Sequence, residues 1–337
     1  MTTERPRVSR RRALTIVGAA AGIVLAPALL QGRGARAGPL WTWRGVALGA
    51  PARIVLAHPD GPEAERLFLT CAGEIERLEA QFSLQRADSA LSRLNRDGAL
   101  AGPDADMVRL MGEAERFARL TDGAFDVTVQ PLWRLYAEHF RRQPEDRAGP
   151  APEAIAEALA RVGFGDLEVA PARIAFRRAG MAATLNGIAQ GYITDRVTEL
   201  LRAHGIAQVL VNLGEYRALG AHPDGRAWRV GLADPFDSTQ IAATIDLIDR
   251  ALATSGGYGT RFSADGRFHH LFDPRTGLSA NHHASLTVIA DRATVADALS
   301  TALYVAPDAL AVRVAAALPG IEVHITAADG TLRRLGA

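Results

Sequence analysis

Helices and strands are segregated along this chain, and that segregation restricts the possible folds more than any other feature. Helical periodicity predominates up to residue 204, and strand patterns predominate between residues 208 and 290. Parallel sheets need crossover helices between successive strands, and no regular alternation of this kind is present. The sequence therefore predicts an α+β fold with mixed or antiparallel sheets and flanking helices.

Apolar periodicity and turn residues locate the individual elements. The predicted helices are 62–82, 104–120, 152–162, 187–204, 294–304 and 307–317. The predicted strands are 53–57, 208–213, 227–233, 241–248, 251–254, 268–272, 284–290, 321–326 and 331–334. The Pro-rich segment 141–152 is interpreted as a surface loop and not as a domain linker.

Two residue types are scarce enough to exclude whole classes of chemistry. All 38 basic residues are arginine, so the chain has no lysine for a Schiff base, a general base or a phosphate-binding loop. The single cysteine, Cys71, cannot form an internal disulfide or a multi-thiolate metal site. Cys71 lies on the apolar side of a predicted helix, which favours a place in the core.

Residues 1–37 have the organisation of an export signal. An arginine-rich start is followed by 18 uncharged residues, 13–30, and by the A-x-A pattern at 35–37. The segment S-R-R-R-A-L at 9–14 resembles a twin-arginine leader. We therefore predict a signal peptide over 1–37 and a periplasmic domain over 38–337; an uncleaved N-terminal anchor is the alternative.

Removing the leader changes the charge balance. Seven arginines and one glutamate precede residue 38, so the leader carries +6 and residues 38–337 carry −5 of the net +1. A mildly acidic domain is not expected to bind nucleic acid.

Six short segments rich in small and polar residues stand out: 84–95, 121–132, 185–195, 254–258, 269–277 and 296–302. The third contains L-N-G-I-A-Q-G-Y, the fifth reads H-H-L-F-D-P-R-T-G, and the sixth reads A-D-A-L-S-T-A. No phosphate-binding loop, zinc-protease motif or nucleophile elbow accompanies them.

In this order, the six segments resemble the ApbE-type FAD:protein FMN transferases across about residues 40–330. The form of the third segment is similar to the branch associated with nitrous-oxide reductase maturation. The resemblance implies an ApbE-like flavin-transferase fold and a Mg²⁺-dependent reaction. FAD is split at its pyrophosphate, and FMN is joined through a phosphoester to a Thr or Ser of a partner, a membrane-bound redox protein.

Residue spacing points to a metal site in the sixth segment. Asp297 and Thr301 are four residues apart on a predicted helix, so their oxygen atoms lie on one side. Carboxylate and hydroxyl oxygens suit Mg²⁺, which uses few protein ligands and retains water. The resemblance adds the backbone carbonyl of Gly187 as a further metal ligand. Alternatively, Asp297 only stabilises the first turn of its helix.

The fifth segment supplies the predicted catalytic residues. His270 matches the essential histidine of the family, and an imidazole can accept the proton of the acceptor hydroxyl. Asp273 is expected to orient His270 or to open the D-P-R-T-G turn. The histidines at 269, 270, 282 and 283 are also compatible with a transition-metal site, although neighbouring strand residues point to opposite faces.

The resemblance also implies a set of FAD-binding positions: Leu48, Gln85, Ala124, Phe125, Asp126, Thr184, Gln190, Leu271 and Ser300. Four of them depart from the family pattern. Leu48 replaces a Met, Gln85 replaces a Tyr, Thr184 replaces an Asp and Gln190 replaces a Lys. The last two departures remove one negative and one positive charge together, so that neither is left unpaired.

There are two alternatives to the transferase. The changes at Thr184 and Gln190 motivate one of them, a flavin-binding accessory factor without turnover. The other is an FAD pyrophosphatase, in which water replaces the protein hydroxyl as acceptor.

Overall fold

The computed structural model describes residues 38–237 and 239–336. The predicted signal peptide over residues 1–37 lies outside this range, so export stays a prediction. Within the described ranges, no helix is both long enough and apolar enough to cross a bilayer.

The described residues form eight α-helices and thirteen strands. The helices are α1 Gly61–Phe82, α2 Ala90–Asp97, α3 Ala105–Leu120, α4 Gln130–Arg142, α5 Pro152–Leu159, α6 Ala189–Ala203, α7 Ala293–Val305 and α8 Asp308–Ala317. The strands are β1 Leu40–Ala47, β2 Ala50–Ala57, β3 Ala99–Ala101, β4 Leu167–Ala170, β5 Arg173–Phe176, β6 Val209–Asn212, β7 Tyr216–Leu219, β8 Trp228–Ala233, β9 Ile241–Leu247, β10 Ala251–Ser255, β11 His283–Ala290, β12 Glu322–Ala327 and β13 Leu332–Gly336.

An antiparallel sheet of eight strands forms the centre, in the order β1-β2-β6-β7-β10-β11-β12-β13. Two smaller sheets, β3-β5-β4 and β8-β9, accompany it, and every strand pairing among the described residues is antiparallel. The predicted α+β class is thereby confirmed.

One predicted strand is wrong. Residues 268–272 make only isolated bridges, Arg261 with His269 and Phe272 with Ser279. The D-P-R-T-G turn folds the chain back at once, because the backbone carbonyl of Asp273 accepts hydrogen bonds from Thr276 and Gly277. The segment is therefore an irregular loop.

The central sheet is buried on both faces. Along β2, Ile54 and Leu56 join the main core beneath the helices, whereas Val55 points to the opposite face. There it packs in a second cluster with Trp228 of β8 and Leu247 of β9. Cys71, on α1, lies fully buried in the main core as expected, and burial raises the pKa of its thiol to about 12.

Helices α6 and α7 are joined closely at the start of α7. A β-carbon on Gly191 would lie 2.3 Å from the carbonyl oxygen of Ala293, so only glycine allows this approach. The buried Asp195 of α6 accepts hydrogen bonds from the backbone amides of Ala293, at 2.8 Å, and Thr294, at 2.9 Å. Arg217 pairs with Asp195 at 2.7 Å. This cap from another helix fixes the position of α7.

A separate aromatic cluster holds the loop that carries His270. Tyr136 and Phe140 of α4 pack against Phe268 and Phe272, with ring centroids 4.8 Å apart for Tyr136 and Phe272. The Tyr136 hydroxyl donates a hydrogen bond to the backbone carbonyl of Gly277 at 3.1 Å. The loop is thus anchored on both sides of His270.

Candidate active site

A cavity of about 660 Å³ lies where all six of the motif segments meet. Its walls include the turn of the β1–β2 hairpin, the residues after α1 and α3, the start of α6 and one side of α7. Every site residue predicted from the sequence lines this cavity except Asp273 and Ser300. The fold therefore brings together residues that are more than 200 positions apart in the chain.

The predicted metal-binding residues share one corner of the cavity. Asp297 Oδ2 accepts a hydrogen bond from the Gly191 backbone amide at 2.9 Å, which leaves Oδ1 for another partner. A β-carbon on Gly187 would lie 2.9 Å from Thr301 Oγ1, so the Gly187 backbone is next to that hydroxyl. Thr301 Oγ1 is 3.4 Å from Ser255 Oγ. This corner offers the hard oxygen donors that Mg²⁺ prefers.

A second carboxylate, missed in the sequence, lines the same cavity. Glu215 lies in the turn between β6 and β7, and only 9% of it is exposed. Burial, together with the negative charge of Asp297, raises the pKa of Glu215 well above its ordinary value. The sequence contained one indication of this residue, because Glu215 closely follows an apolar predicted strand, in N-L-G-E at 212–215.

The two carboxylates have no opposing positive charge among the described residues. Burial, together with the nearby charge of Asp195, raises the pKa of Asp297 to about 7. Two buried carboxylates without a cation are costly. The residues of this corner therefore fit a divalent cation, which the Asp297 carboxylate, the Thr301 hydroxyl and the Gly187 carbonyl would coordinate.

Ser300, which the resemblance implies as an FAD contact, does not line the cavity. Its side chain is 1% exposed and lies behind the cavity wall, with its Oγ 2.8 Å from Ser255 Oγ. The Ser300 hydroxyl also donates to the backbone carbonyl of Asp297 at 3.0 Å. Ser255, and not Ser300, lines the cavity, and the Ser300 hydroxyl stabilises Ser255 and α7 from behind it.

His270 lines the cavity and is held through its backbone and ring. Its backbone amide donates to the carbonyl of Thr260 at 3.1 Å, and Nδ1 lies 3.2 Å from the same oxygen. A proton on Nδ1 satisfies this contact and leaves Nε2 unprotonated. Burial lowers the pKa of His270, which favours the neutral imidazole. His270 thus has the form of a general base.

Asp273 does not orient His270. Asp273 Oδ1 accepts from the backbone amide of Arg275 at 2.9 Å and from Arg275 Nε at 2.8 Å. Its other oxygen accepts from the Arg275 guanidinium at 2.8 Å. Both oxygens are occupied within the turn, so Asp273 opens the D-P-R-T-G turn, and Thr260 takes the orienting role.

The four histidines do not form a metal site among the described residues. His269 turns into the core, with its ring centroid 5.9 Å from that of Tyr304, and burial lowers its pKa to about 4. His283 is buried beside Tyr304, and His282 is exposed. Among the residues that the structure describes, no group of three or more His, Cys, Asp or Glu side chains is placed to hold a metal ion.

The segment 124–126 also lines the cavity. Asp126 Oδ1 accepts from the backbone amide and the hydroxyl of Thr128, at 2.7 and 2.6 Å, and Oδ2 accepts from the Phe164 amide at 2.9 Å. These bonds occupy the carboxylate within the protein. The ring of Phe125 packs edge-on against Phe117 at 6.3 Å and contributes apolar surface to the cavity.

Two aromatic residues at the cavity were not predicted from the sequence. Trp133 of α4 is 37% exposed and packs edge-on against Phe262, with ring centroids 6.1 Å apart. Tyr258, in the turn after β10, also lines the cavity. Trp133 lies one position beyond the second motif segment, and only this adjacency could have indicated from the sequence that it lines the cavity.

Comparison with known proteins agrees with this geometry. The sequence profile of the ApbE family matches residues 48–325. The chain belongs to the ApbE family. A FAD:protein FMN transferase of Haemophilus influenzae is 34% identical over 253 residues, which cover 72% of each protein.

Two solved ApbE structures share the fold. The ApbE protein of Thermotoga maritima superposes with a TM-score of 0.77 at 29% identity, covering 88% of this chain and 97% of the other. The apo flavinyl transferase ApbE of Pseudomonas stutzeri gives a TM-score of 0.76 at 29% identity, covering 90% and 96%. The expected family and fold are confirmed.

The two neutral departures from the ApbE pattern both line the cavity. The backbone amide of Thr184 donates to the carbonyl of Val127 at 2.7 Å, and its hydroxyl accepts from Asn186 at 3.3 Å. The side chain of Gln190 packs against Gly214, where a β-carbon would lie 2.3 Å from Gln190 Nε2. Thr184 is thus satisfied within the protein, and neither position places a charge in this ApbE cavity.

Proposed function

We propose that this chain is a Mg²⁺-dependent FAD:protein FMN transferase that attaches FMN to a Thr or Ser hydroxyl of a partner protein. One observation supports this proposal above all. The same cavity is lined by His270, whose ring is oriented by the Thr260 carbonyl, and by the oxygen donors of Asp297 and Thr301. A volume of about 660 Å³ lies within the range of small-molecule sites. The name of the Haemophilus influenzae relative supports the same activity.

The proposed reaction is a displacement at the phosphorus of the FMN phosphate. The acceptor oxygen forms a bond to this phosphorus, the bond from phosphorus to the bridging oxygen breaks, and AMP leaves. His270 Nε2 accepts the proton of the attacking hydroxyl, while the Thr260 carbonyl keeps the ring oriented. When bound, Mg²⁺ would neutralise charge on the pyrophosphate.

The test is intact-mass analysis of a Thr-containing acceptor protein incubated with the purified enzyme, FAD and Mg²⁺. We expect an added FMN mass, and at least a hundredfold slower addition with His270→Asn, in keeping with loss of a general base. His282→Asn is the matched control, because His282 is exposed and does not line the cavity. Unchanged labelling by both His270→Asn and Asp297→Asn contradicts the proposed roles.

The same assay separates the two alternatives to the transferase. Release of AMP at the full rate without acceptor identifies a pyrophosphatase. Tight retention of intact FAD without product identifies an accessory factor. In that case the double change Thr184→Asp with Gln190→Lys is expected to restore transfer.

We further propose that the enzyme acts in the periplasm after twin-arginine export, on a membrane-bound redox protein that serves nitrous-oxide reduction. The leader over residues 1–37 and the L-N-G-I-A-Q-G-Y segment support this proposal. Changing Arg10 and Arg11 to lysine should keep the protein in the cytoplasm, as measured by cell fractionation. Covalent flavin on a membrane protein of the nitrous-oxide pathway should then disappear, as seen by in-gel fluorescence.

A further inference from the structure

The backbone of the β6–β7 turn is fixed so that Glu215 faces the cavity. The Glu215 carbonyl accepts from the amide of Leu213 at 3.2 Å and from Thr194 Oγ1 of α6 at 3.3 Å. Gly214, with φ of 107°, provides the left-handed backbone that turns the chain there. The carboxyl side chain is thereby held inside the cavity wall with 91% of the residue buried.

The environment of Glu215 sets it apart from other buried acids of the chain. Asp195 is matched by Arg217 and by the amides of α7, and Asp106 is matched by Arg77 and the Tyr192 hydroxyl. Glu215 lines the same cavity as Asp297 and Thr301, the like charge of Asp297 acts on its carboxylate, and no arginine or histidine among the described residues forms an ion pair with it. A buried carboxylate in this position needs a cation that the described residues do not supply.

We propose that Glu215 is a further carboxylate of the metal site, which holds the divalent cation together with Asp297 and Thr301. The inference rests on the proposed function for the presence of that cation, and it adds a residue on a different element, the β6–β7 turn. Two carboxylates, a hydroxyl and a backbone carbonyl form an all-oxygen set of the kind that Mg²⁺ and Mn²⁺ accept. A bound cation would then connect the β6–β7 turn, through Glu215, to α7, through Asp297 and Thr301.

The experiment titrates the purified full chain with Mn²⁺ alone and measures free Mn²⁺ by electron paramagnetic resonance. We expect Glu215→Gln to weaken Mn²⁺ binding at least tenfold. Glu322→Gln is the matched control, since Glu322 is a partly buried acid of β12 outside the cavity, paired with Arg334. Wild-type affinity in Glu215→Gln overturns the inference, as does a wild-type protein that binds no Mn²⁺.

Thermal unfolding gives a second readout that does not depend on catalysis. Without metal, Glu215→Gln should unfold at the same temperature as the wild type or higher, because the like-charge contact with Asp297 is gone. The rise in unfolding temperature on adding Mg²⁺ should be smaller than in the wild type. An equal rise in both proteins contradicts the inference. If Glu215→Gln does not fold, Glu215→Asp replaces it, and weaker Mn²⁺ binding is again expected.

Failure of this inference and failure of the proposed function are distinguishable. Flavinylation by the wild type with unchanged Mn²⁺ affinity in Glu215→Gln removes only Glu215 from the metal site. Weakened Mn²⁺ binding in the variant, without flavinylation by the wild type, leaves the metal site and removes the transferase.

Discussion

Leu48 adopts a left-handed backbone conformation at the cavity rim. Its φ is 47°, and the following Gly49 has φ of 81°, so both residues of this hairpin turn are left-handed. For a residue with a side chain, this conformation costs about 1–2 kcal/mol. The amide of Leu48 is held by Glu79 Oε1 at 2.5 Å, which keeps the turn in place. Strain at a cavity residue is consistent with a role for its side chain in binding.

Leu48→Gly is expected to weaken FAD binding several-fold without lowering the unfolding temperature. The variant loses the apolar contact, while relief of the left-handed strain offsets the greater backbone entropy of glycine. Fluorescence titration with FAD and thermal unfolding measure the two effects. Val46→Ala, at an exposed position of β1, is the control and should not change FAD affinity. Wild-type FAD affinity in Leu48→Gly contradicts a binding role for Leu48.

Asp297 should make the metal-free protein less stable as pH rises. Its pKa is about 7 in the folded protein and ordinarily 3.8, so the folded state binds more protons between those values. The contribution of Asp297 to stability therefore falls from pH 4 to pH 7 and levels off above that. Asp297→Asn removes this loss and keeps an oxygen for the Gly191 amide.

We expect Asp297→Asn to be more stable than the wild type at pH 8 without metal, by up to about 4 kcal/mol, since each pKa unit corresponds to about 1.4 kcal/mol. The difference should shrink toward pH 4. Urea unfolding in the presence of a chelator measures it. A difference that does not vary with pH contradicts the assignment of Asp297 as a buried, unneutralised carboxylate.

At the scale of elements, the contact between α6 and α7 determines where the metal-binding residues lie. Gly191→Ala would place a β-carbon 2.3 Å from the backbone carbonyl of Ala293, which cannot move without shifting α7. We expect a loss of about 1–3 kcal/mol of stability from overpacking, and weaker Mn²⁺ binding because Asp297 moves with α7.

Gly112→Ala is the matched control for Gly191→Ala. Gly112 lies inside α3, and nothing lies within 4 Å of an added β-carbon. Alanine should stabilise that helix by about 0.5–1 kcal/mol and leave Mn²⁺ binding unchanged. Urea unfolding and Mn²⁺ titration compare the two variants. If Gly191→Ala behaves like Gly112→Ala, the close approach of α6 and α7 does not set the metal site.

Sequence reasoning identified several of the longer elements, although it missed helix α4, with 13 residues, and strand β1, with eight. Helix α1 spans 22 residues and was predicted nearly to its ends, whereas β3, with three residues, is too short for any period to show. His270 and Asp297 were found because they lie in dense motifs. Glu215 and Trp133 were missed because a lone side chain becomes functional only through the tertiary contacts that surround it.

At the scale of the whole molecule, the cavity is built from loops that the eight-stranded sheet brings together. Its lining runs from the β1–β2 turn to α7, so most of the fold must be formed before the site exists. Ligands that bind only the complete site stabilise the folded state as a whole.

Saturating FAD and Mg²⁺ should therefore raise the unfolding temperature of the whole domain in one transition. Ligand at a hundred times its dissociation constant contributes about 2.7 kcal/mol, and about 5 °C is expected for a domain of this size. Differential scanning fluorimetry measures the shift. A chelator should abolish the part due to Mg²⁺, and His270→Asn should retain the full shift. Two separate transitions would contradict a single ligand-coupled unit.

The burial of Cys71 makes this protein a convenient host for chemical probes. Maleimides react with exposed, ionised thiols, and Cys71 is neither exposed nor, with a pKa of about 12, ionised at neutral pH. A cysteine introduced at the exposed Leu278, next to the D-P-R-T-G turn, would thus be the one site labelled by a fluorophore. Because the chain has no lysine, an amine-reactive dye would label only the amino terminus and so provide a second fluorophore. Binding of an acceptor protein could then be followed by single-molecule fluorescence.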